Sequence, residues 1–329
     1  MYLESALYKH NAYDTRGEIF ALSGILDSAV VSFEKALEIK PDFVSSLWQL
    51  GNVYMFKREY GKADSLYRVI ASHPDKFVRA EGRLYLTQIP LHQGKLDKAL
   101  RMLNELKGAA QADSIKSSQL AYPAIKRAGN YQNILNDQQS AIAEFEKAME
   151  TLRDIDPNNW MVAYSRAGIA ASHALSGDMR KADQLMAELK RDIGKYGPAA
   201  NDDYLMFAAM MEMEKDNYDS AAVIWEKVYR ILPLFLLREL MARCYLGAGR
   251  VEEAVTIYDE LIHRYELNRA YWPELGVMTF YYSAKAYEAA GRTEDAIEQY
   301  ETFLDIWKNA DEGIASVNDA KERLANLQS

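Results

Sequence analysis

Residues 27–41 read D-S-A-V-V-S-F-E-K-A-L-E-I-K-P. Ala29, Phe33 and Ala36 recur four and three residues apart, so they share one face of a helix. Ser32, Glu34, Lys35 and Glu38 fill the opposite face, and Pro41 stands where it would stop the helix. A helix this short cannot bury its stripe alone, so it needs neighbours of the same kind.

The sequence supplies them. The same alanine–bulky–apolar triple recurs as Ala63/Tyr67/Ile70, Ala99/Leu103/Leu106, Ala141/Phe145/Ala148, Ala182/Met186/Leu189, Ala221/Trp225/Val228, Ala254/Tyr258/Leu261 and Ala296/Tyr300/Phe303. Successive alanines are 34, 36, 42, 41, 39, 33 and 42 residues apart. An invariably small first residue fits a point where two helix backbones approach too closely for a larger side chain. The bulky second residue contributes roughly 1.5–3 kcal/mol per repeat on burial.

Five residues before each alanine stand Gly24, Arg58, Gly94, Asn136, Gly177, Asp216, Gly249 and Gly291. All but Arg58 tolerate the left-handed turn that closes one helix and opens the next. Upstream of the turns lie further helical stripes, such as Leu47/Leu50/Gly51/Tyr54, Tyr13/Gly17/Phe20 and Phe280/Ala284/Tyr287. Each unit is a helix hairpin. Residues 107–118 and 192–203, rich in small residues, Gly or Pro, read as extended connections.

At 329 residues the chain exceeds one ordinary compact core, which fits a repeat array. A formal net charge of −9 disfavours nucleic acid and anionic membrane surfaces as partners. The single Cys244 excludes an intramolecular disulfide framework and fits a reducing, cytoplasmic compartment. No apolar run is long enough to insert in a membrane, and the start, M-Y-L-E-S-A-L-Y-K-H, lacks the basic head and apolar core of a signal peptide.

A small residue, an aromatic four later, a small residue three later and then proline, behind a helix ending in Gly, resembles the tetratricopeptide repeat (TPR). L-W-Q-L-G-N-V-Y…A-D-S-L-Y in the second repeat and F-Y-Y-S-A-K-A-Y-E-A-A-G-R…A-I-E-Q-Y in the eighth carry it best. The third to sixth repeats depart from it, lacking the large residue in the first helix or running to longer spacings. The resemblance implies an all-α, right-handed α-solenoid of about eight hairpins over residues 1–312, close to a full superhelical turn. Its approximate repeats are 10–43, 44–77, 80–113, 122–155, 163–196, 202–234, 235–268 and 277–310. Residues 313–329, with Ile314, Val317, Ala320, Leu324 and Leu327 on one face, form a capping helix. F-L-D-I-W-K-N-A-D, followed by K-E-R-L-A-N-L, resembles the end of TPR arrays in bacterial multidomain regulators. Too little sequence precedes the first repeat for an effector domain, so a free-standing array and a piece of a longer protein both stay open.

Chemistry-bearing motifs are missing. Gly247-Ala248-Gly249-Arg250 reads as a turn between helices, not a phosphate loop. No two of His10, His73, His92, His173 and His263 have the i, i+4 spacing of a helical metal site. His173 takes a position that other repeats give to Tyr, which suggests hydrogen-bonded packing. The expectation is a chain with no catalytic residues, no metal and no cofactor.

The resemblance implies ligand contact in the concave groove lined by the first helices. In the second repeat Trp48, Asn52, Met55 and Phe56 form a second apolar stripe beside the packing one. Neighbouring first helices offer Leu84, Tyr85, Gln88, Lys126, Tyr164, Met206, Met210 and Met213, the methionines suiting an adaptable apolar surface. Two readings stand for these residues: contact with a partner, or plugging of gaps between repeats. Glu212 falls where an aromatic is expected, which leaves the face assignment in repeat six open by one residue. TPR domains that clamp the C-terminal carboxylate of chaperones use Lys, Asn and Arg where this chain has Asp14, Glu18, Gln49, Glu81 and Tyr85, so that ligand is disfavoured.

The function expected is a noncatalytic scaffold that holds a protein or peptide segment in the groove. The alternative is a sensor or regulatory module of a larger kinase, cyclase or transcription regulator, binding a small ligand or its own effector domain.

Overall fold

The computed structural model describes residues 8–113 and 118–329, which hold seventeen α-helices and no strand. The first sixteen pair as hairpins: α1 Lys9–Leu22 with α2 Leu26–Ile39, α3 Val44–Phe56 with α4 Tyr60–Ala71, and α5 Lys76–His92 with α6 Leu96–Ala112. Then come α7 Tyr122–Asn133 with α8 Gln138–Arg153, α9 Trp160–Leu175 with α10 Met179–Asp192, and α11 Ala199–Glu214 with α12 Tyr218–Ile231. α13 Phe235–Gly247 with α14 Val251–Leu261 and α15 Pro273–Ala289 with α16 Thr293–Ile306 complete the eight, and α17 Ala315–Leu327 packs on α16. The fold is an all-α repeat superhelix.

The recurring triple is its core. Ala29, Ala63, Ala99, Ala141, Ala182, Ala221, Ala254 and Ala296 all have 0% exposure, so none has room for a further methyl group. The second residues are buried in every repeat, and of the third residues only Leu106 keeps partial exposure. The facing helix explains why bulk and smallness alternate. A Cβ added to Gly51 would lie 2.4 Å from the Tyr67 ring, and Gly17–Phe33 and Gly168–Phe145 repeat that contact.

All eight turn residues take a positive φ, including Arg58 at 63°. The left-handed region costs a non-glycine residue roughly 1–2 kcal/mol, so Arg58 is held there by its surroundings. Its guanidinium pairs with Asp305 in repeat eight.

The connections are shorter than the sequence suggests. α6 runs on through Gly108 to Ala112, because Leu106 and Lys107 before the glycine and Ala109, Ala110 and Ala112 after it are good helix formers; residues 114–117 of that expected connection lie outside the described residues. Over 192–203 a 3₁₀ turn at Ile193–Tyr196 and Gly197 at φ 83° suffice before α11 begins.

The superhelix comes round on itself. α5 packs against α15, and the turns of the first three repeats meet His263, Asp305 and Ala310 in turn. A Cβ on Gly24 would lie 2.5 Å from the carbonyl oxygen of His263, and one on Gly94 would lie 2.7 Å from Cβ of Ala310. Main-chain bonds join the same surfaces: Tyr265 N–H to the Ala21 carbonyl at 3.3 Å, and Asp311 N–H to the Gly94 carbonyl at 3.0 Å. Leu91, Leu96 and Ala99 of repeat three share one hydrophobic cluster with Trp307 and the core of repeats six to eight.

Candidate interaction site on the inner face

Closure brings the stretch between α14 and α15, with its 3₁₀ turn at Leu267–Tyr271, against the first helices of repeats two to four. The Tyr265 ring lies 5.4 Å from that of Phe56. Ala270 is buried in the core of the first three repeats. Tyr271 lies 5.2 Å from Trp48, which has Tyr85 at 5.6 Å. Trp272 receives the Lys126 ammonium 3.6 Å from its ring centre. The groove expected to be open over repeats two to four is therefore filled by the chain's own aromatic segment.

This filling sorts the residues expected to line the groove. Asn52 and Met55 are fully buried, and Asn52 Oδ1 accepts a hydrogen bond from the Tyr67 hydroxyl at 2.6 Å, so both serve hairpin packing. Phe56 turns toward Tyr265 and His92. Tyr85, Gln88 and Lys126 are buried beneath the returning segment, while Trp48 and Leu84 stay half-buried. Tyr164 stacks edge-on to Phe207 at 5.0 Å. Met206, Met210 and Met213 are half-buried on α11, where all three pack against the core of repeats six to eight and Met210 also against that of repeats five and six. His173 is half-buried and its ring makes no hydrogen bond among the described residues, which corrects the expectation of a bonded packing role.

A polar layer lies under the aromatic one. Asn130 Nδ2 donates to Glu274 Oε1 at 3.2 Å, while Glu274 Oε2, Lys126 Nζ, Gln88 Oε1 and Trp48 Nε1 are buried without a hydrogen-bond partner among the described residues. Burial lowers the pKa of Lys126 and raises that of Glu274, and each charge opposes the shift of the other. Asp203 on α11 is pushed up to about 7 by burial and by neighbouring Asp202.

A second feature is the seam itself. A cavity of about 200 Å³ lies between the two ends of the chain, lined by Phe56, Arg58 and His92 from one side and by residues including Arg269, Phe280 and Gln299 from the other. His92 Nδ1 shares a hydrogen bond with the Tyr60 hydroxyl at 3.1 Å.

Tyr122, Tyr271 and Trp272 escape a groove search confined to repeat positions in the first helices. The signal was the aromatic content of R-A-Y-W-P at 269–273, unusual for a connection. Among the described residues no group of three His, Cys, Asp or Glu is placed to hold a metal ion, and no helix is long and apolar enough to cross a membrane.

Comparison with known proteins bears on the repeats directly. Family models described as tetratricopeptide repeat match residues 10–43, 240–266 and 279–310. No curated protein matches. Among solved structures, a tetratricopeptide repeat protein from Parabacteroides merdae is 16% identical, with 97% of this chain and 99% of that one covered and a TM-score of 0.45. The TPR2AB domain of yeast Sti1, in complex with pHSP90, is 12% identical over 98% of this chain and 99% of its own, with a TM-score of 0.33. Kinesin light chain TPR-like repeats from Podospora anserina are 16% identical over 60% of this chain and all of their own, with a TM-score of 0.37. The tetratricopeptide repeat models thus fall on the first, seventh and eighth of the eight hairpins, units built on the same buried triple as the rest.

Proposed function

We propose that the chain is a noncatalytic interaction scaffold that takes an apolar or amphipathic protein segment on its inner face. The observation that carries this is the ring stack Tyr85–Trp48–Tyr271, whose outermost ring, Tyr271, is left 39% exposed. An aromatic stack open at one end offers a large, rigid contact area of the kind that dominates interface energetics. Tyr122 continues the surface, since its hydroxyl lies within electrostatic reach of those of Tyr85, Tyr164 and Tyr271. The half-buried methionines of α11 extend it into repeat six. The segment between α14 and α15 makes Tyr271 part of the binding wall, so the partner sits on the filled groove and need not displace what fills it.

The test is photo-crosslinking with a reactive residue placed at Met210 on the inner face or at Val223, which is 66% exposed on α12. A discrete protein adduct from Met210 alone, lost in a Trp48→Ala background, supports the reading. Equal adducts from both positions, or adducts indifferent to Trp48, overturn it.

A further inference from the structure

The seam cavity is lined by a buried guanidinium that makes no direct ion pair among the described residues, the carboxylates of Glu266 and buried Glu239 acting on it only through space. Arg269 is 4% exposed, and its hydrogen bonds all go to main-chain carbonyls, those of Leu261, Arg264 and Gly276. Aromatic rings surround the guanidinium, with Phe235 at 4.4 Å and Phe280 at 5.3 Å, and no carboxylate pairs with it among the described residues. Buried charges are ordinarily paired or bound to something of opposite sign. Arg58, which shares the cavity wall, already has Asp305.

An independent observation comes from the opposite wall. Gln299 is 5% exposed, yet its amide makes no hydrogen bond with any described residue. Its amide atoms are accessible from the cavity, not sealed in the packed interior, so an occupant of the cavity can bond them. The remaining lining is mixed: Phe56, Phe280 and Ile306 are apolar, and Glu298 is exposed at the rim, where solvent screens it. At about 200 Å³ the space falls below the roughly 300 Å³ at which ordinary ligand pockets begin, so its occupant is small.

We propose that the seam cavity binds a small organic carboxylate, its acid group meeting Arg269 and Gln299 and its apolar body lying against Phe56 and Phe280. The site goes beyond the inner-face scaffold reading and does not depend on it. Because Phe56 comes from repeat two and the other three from repeat seven onward, the ligand touches both ends of the superhelix. Binding only to the closed form, it stabilises closure in proportion to its saturation.

Calorimetric titration with hexanoate and phenylacetate, beside their neutral amides and an acetylated dipeptide with a free C-terminal carboxylate, tests the site. One of the two acids should bind, with its amide and the dipeptide binding at least about tenfold more weakly. Gln299→Ala, and Thr302→Trp to fill the cavity, should each weaken the acid by about tenfold or more, with helical content unchanged by circular dichroism. Amide hydrogen exchange at Tyr265 and Asp311, whose N–H groups bond across the seam, should slow on addition of the acid. The proposal fails if neither acid binds better than its amide at millimolar concentration, or if the two variants bind like the parent. A dipeptide bound as tightly as the free acid overturns the assignment to a small molecule. Binding without slower exchange overturns the link to closure.

Discussion

The indole Nε1 of Trp307 donates to the main-chain carbonyl of His92 at 3.0 Å, across 215 positions of sequence. Trp307 is 2% exposed and belongs to the cluster that joins repeat three to repeats six to eight. An open solenoid has only nearest-neighbour contacts, so its ends unfold independently. Here one side chain couples them. Trp307→Ala should cost about 3–5 kcal/mol through lost burial and a cavity. Trp307→Phe should cost about 1–3 kcal/mol, chiefly from the buried carbonyl left unpaired. Denaturant unfolding followed at both ends of the chain is the measurement. The parent should show one transition and Trp307→Ala two; superimposable curves for parent and variant would mean that the seam adds nothing to cooperativity.

Two glycines separate backbone strain from seam contact. Gly94 has φ 70° and Gly291 φ 71°, so alanine meets similar left-handed strain at both, roughly 1–2 kcal/mol. Only Gly94 also faces the other end of the chain, where a Cβ would lie 2.7 Å from Ala310 and 2.9 Å from the Trp307 ring. At Gly291 nothing lies within 4 Å. Gly94→Ala should therefore destabilise clearly more than Gly291→Ala. Equal melting temperatures for the two variants would indicate that the ends do not meet at this turn.

Within a hairpin the repeat triple sets the expected magnitudes. Ala63→Leu should cost about 1–3 kcal/mol by overpacking, since Ala63 has no exposed surface. Phe33→Ala should cost about 3–5 kcal/mol, and exposed Lys35→Ala should stay within about 0.5 kcal/mol. Denaturation midpoints for the three variants give the ranking, and a midpoint for Phe33→Ala matching the parent would remove the stripe from the core.

The hairpins were legible because each repeat restates the same local constraint: an alanine where backbones approach, an aromatic against it and a turn five residues earlier. The seam was not. It arises from small rotations accumulated over eight repeats, and no spacing rule relates Gly24 to His263 or Arg58 to Asp305. Arg58 shows this well, since it broke the turn pattern on sequence grounds, yet it adopts the turn and carries an ion pair with repeat eight. The second apolar stripe through Trp48 and Phe56 was visible, but its occupant is a connection whose aromatic residues fall outside the repeat pattern. Legibility of the site therefore ended at Tyr265, Tyr271 and Trp272.

Acid should loosen the seam. Burial, with Arg269 and Arg58 close by, pushes His92 down to about 3 from its usual 6.5. Its ring otherwise meets Tyr60 and Phe56. Between those two values the unfolded chain binds a proton at this position and the folded chain does not. Stability therefore rises with pH across that window, and its His92 contribution is lost as pH falls from about 6.5 toward about 3. His92→Gln removes the titration, so its melting temperature should fall less steeply than the parent's between about pH 7 and about pH 4. Parallel profiles would show that His92 titrates alike in the folded and unfolded chain.

Binding on the inner face should concentrate on the open aromatic stack. Trp48→Ala and Tyr271→Ala should each weaken partner affinity by about 2 kcal/mol or more, because large side chains at the centre of an interface carry most of its energy. Phe56→Ala is expected to behave differently, since Phe56 packs into the seam against Tyr265 and His92: it should lower stability and leave affinity nearly unchanged. Glu252→Ala, exposed on α14, is the control. Lys126 does not meet the partner directly, being buried over Trp272, so added salt should weaken binding only slightly. Calorimetry on the four variants, with melting curves alongside, separates contact from folding. If Phe56→Ala loses affinity at unchanged melting temperature while Trp48→Ala and Tyr271→Ala bind normally, the partner enters through the seam and the aromatic stack is structural.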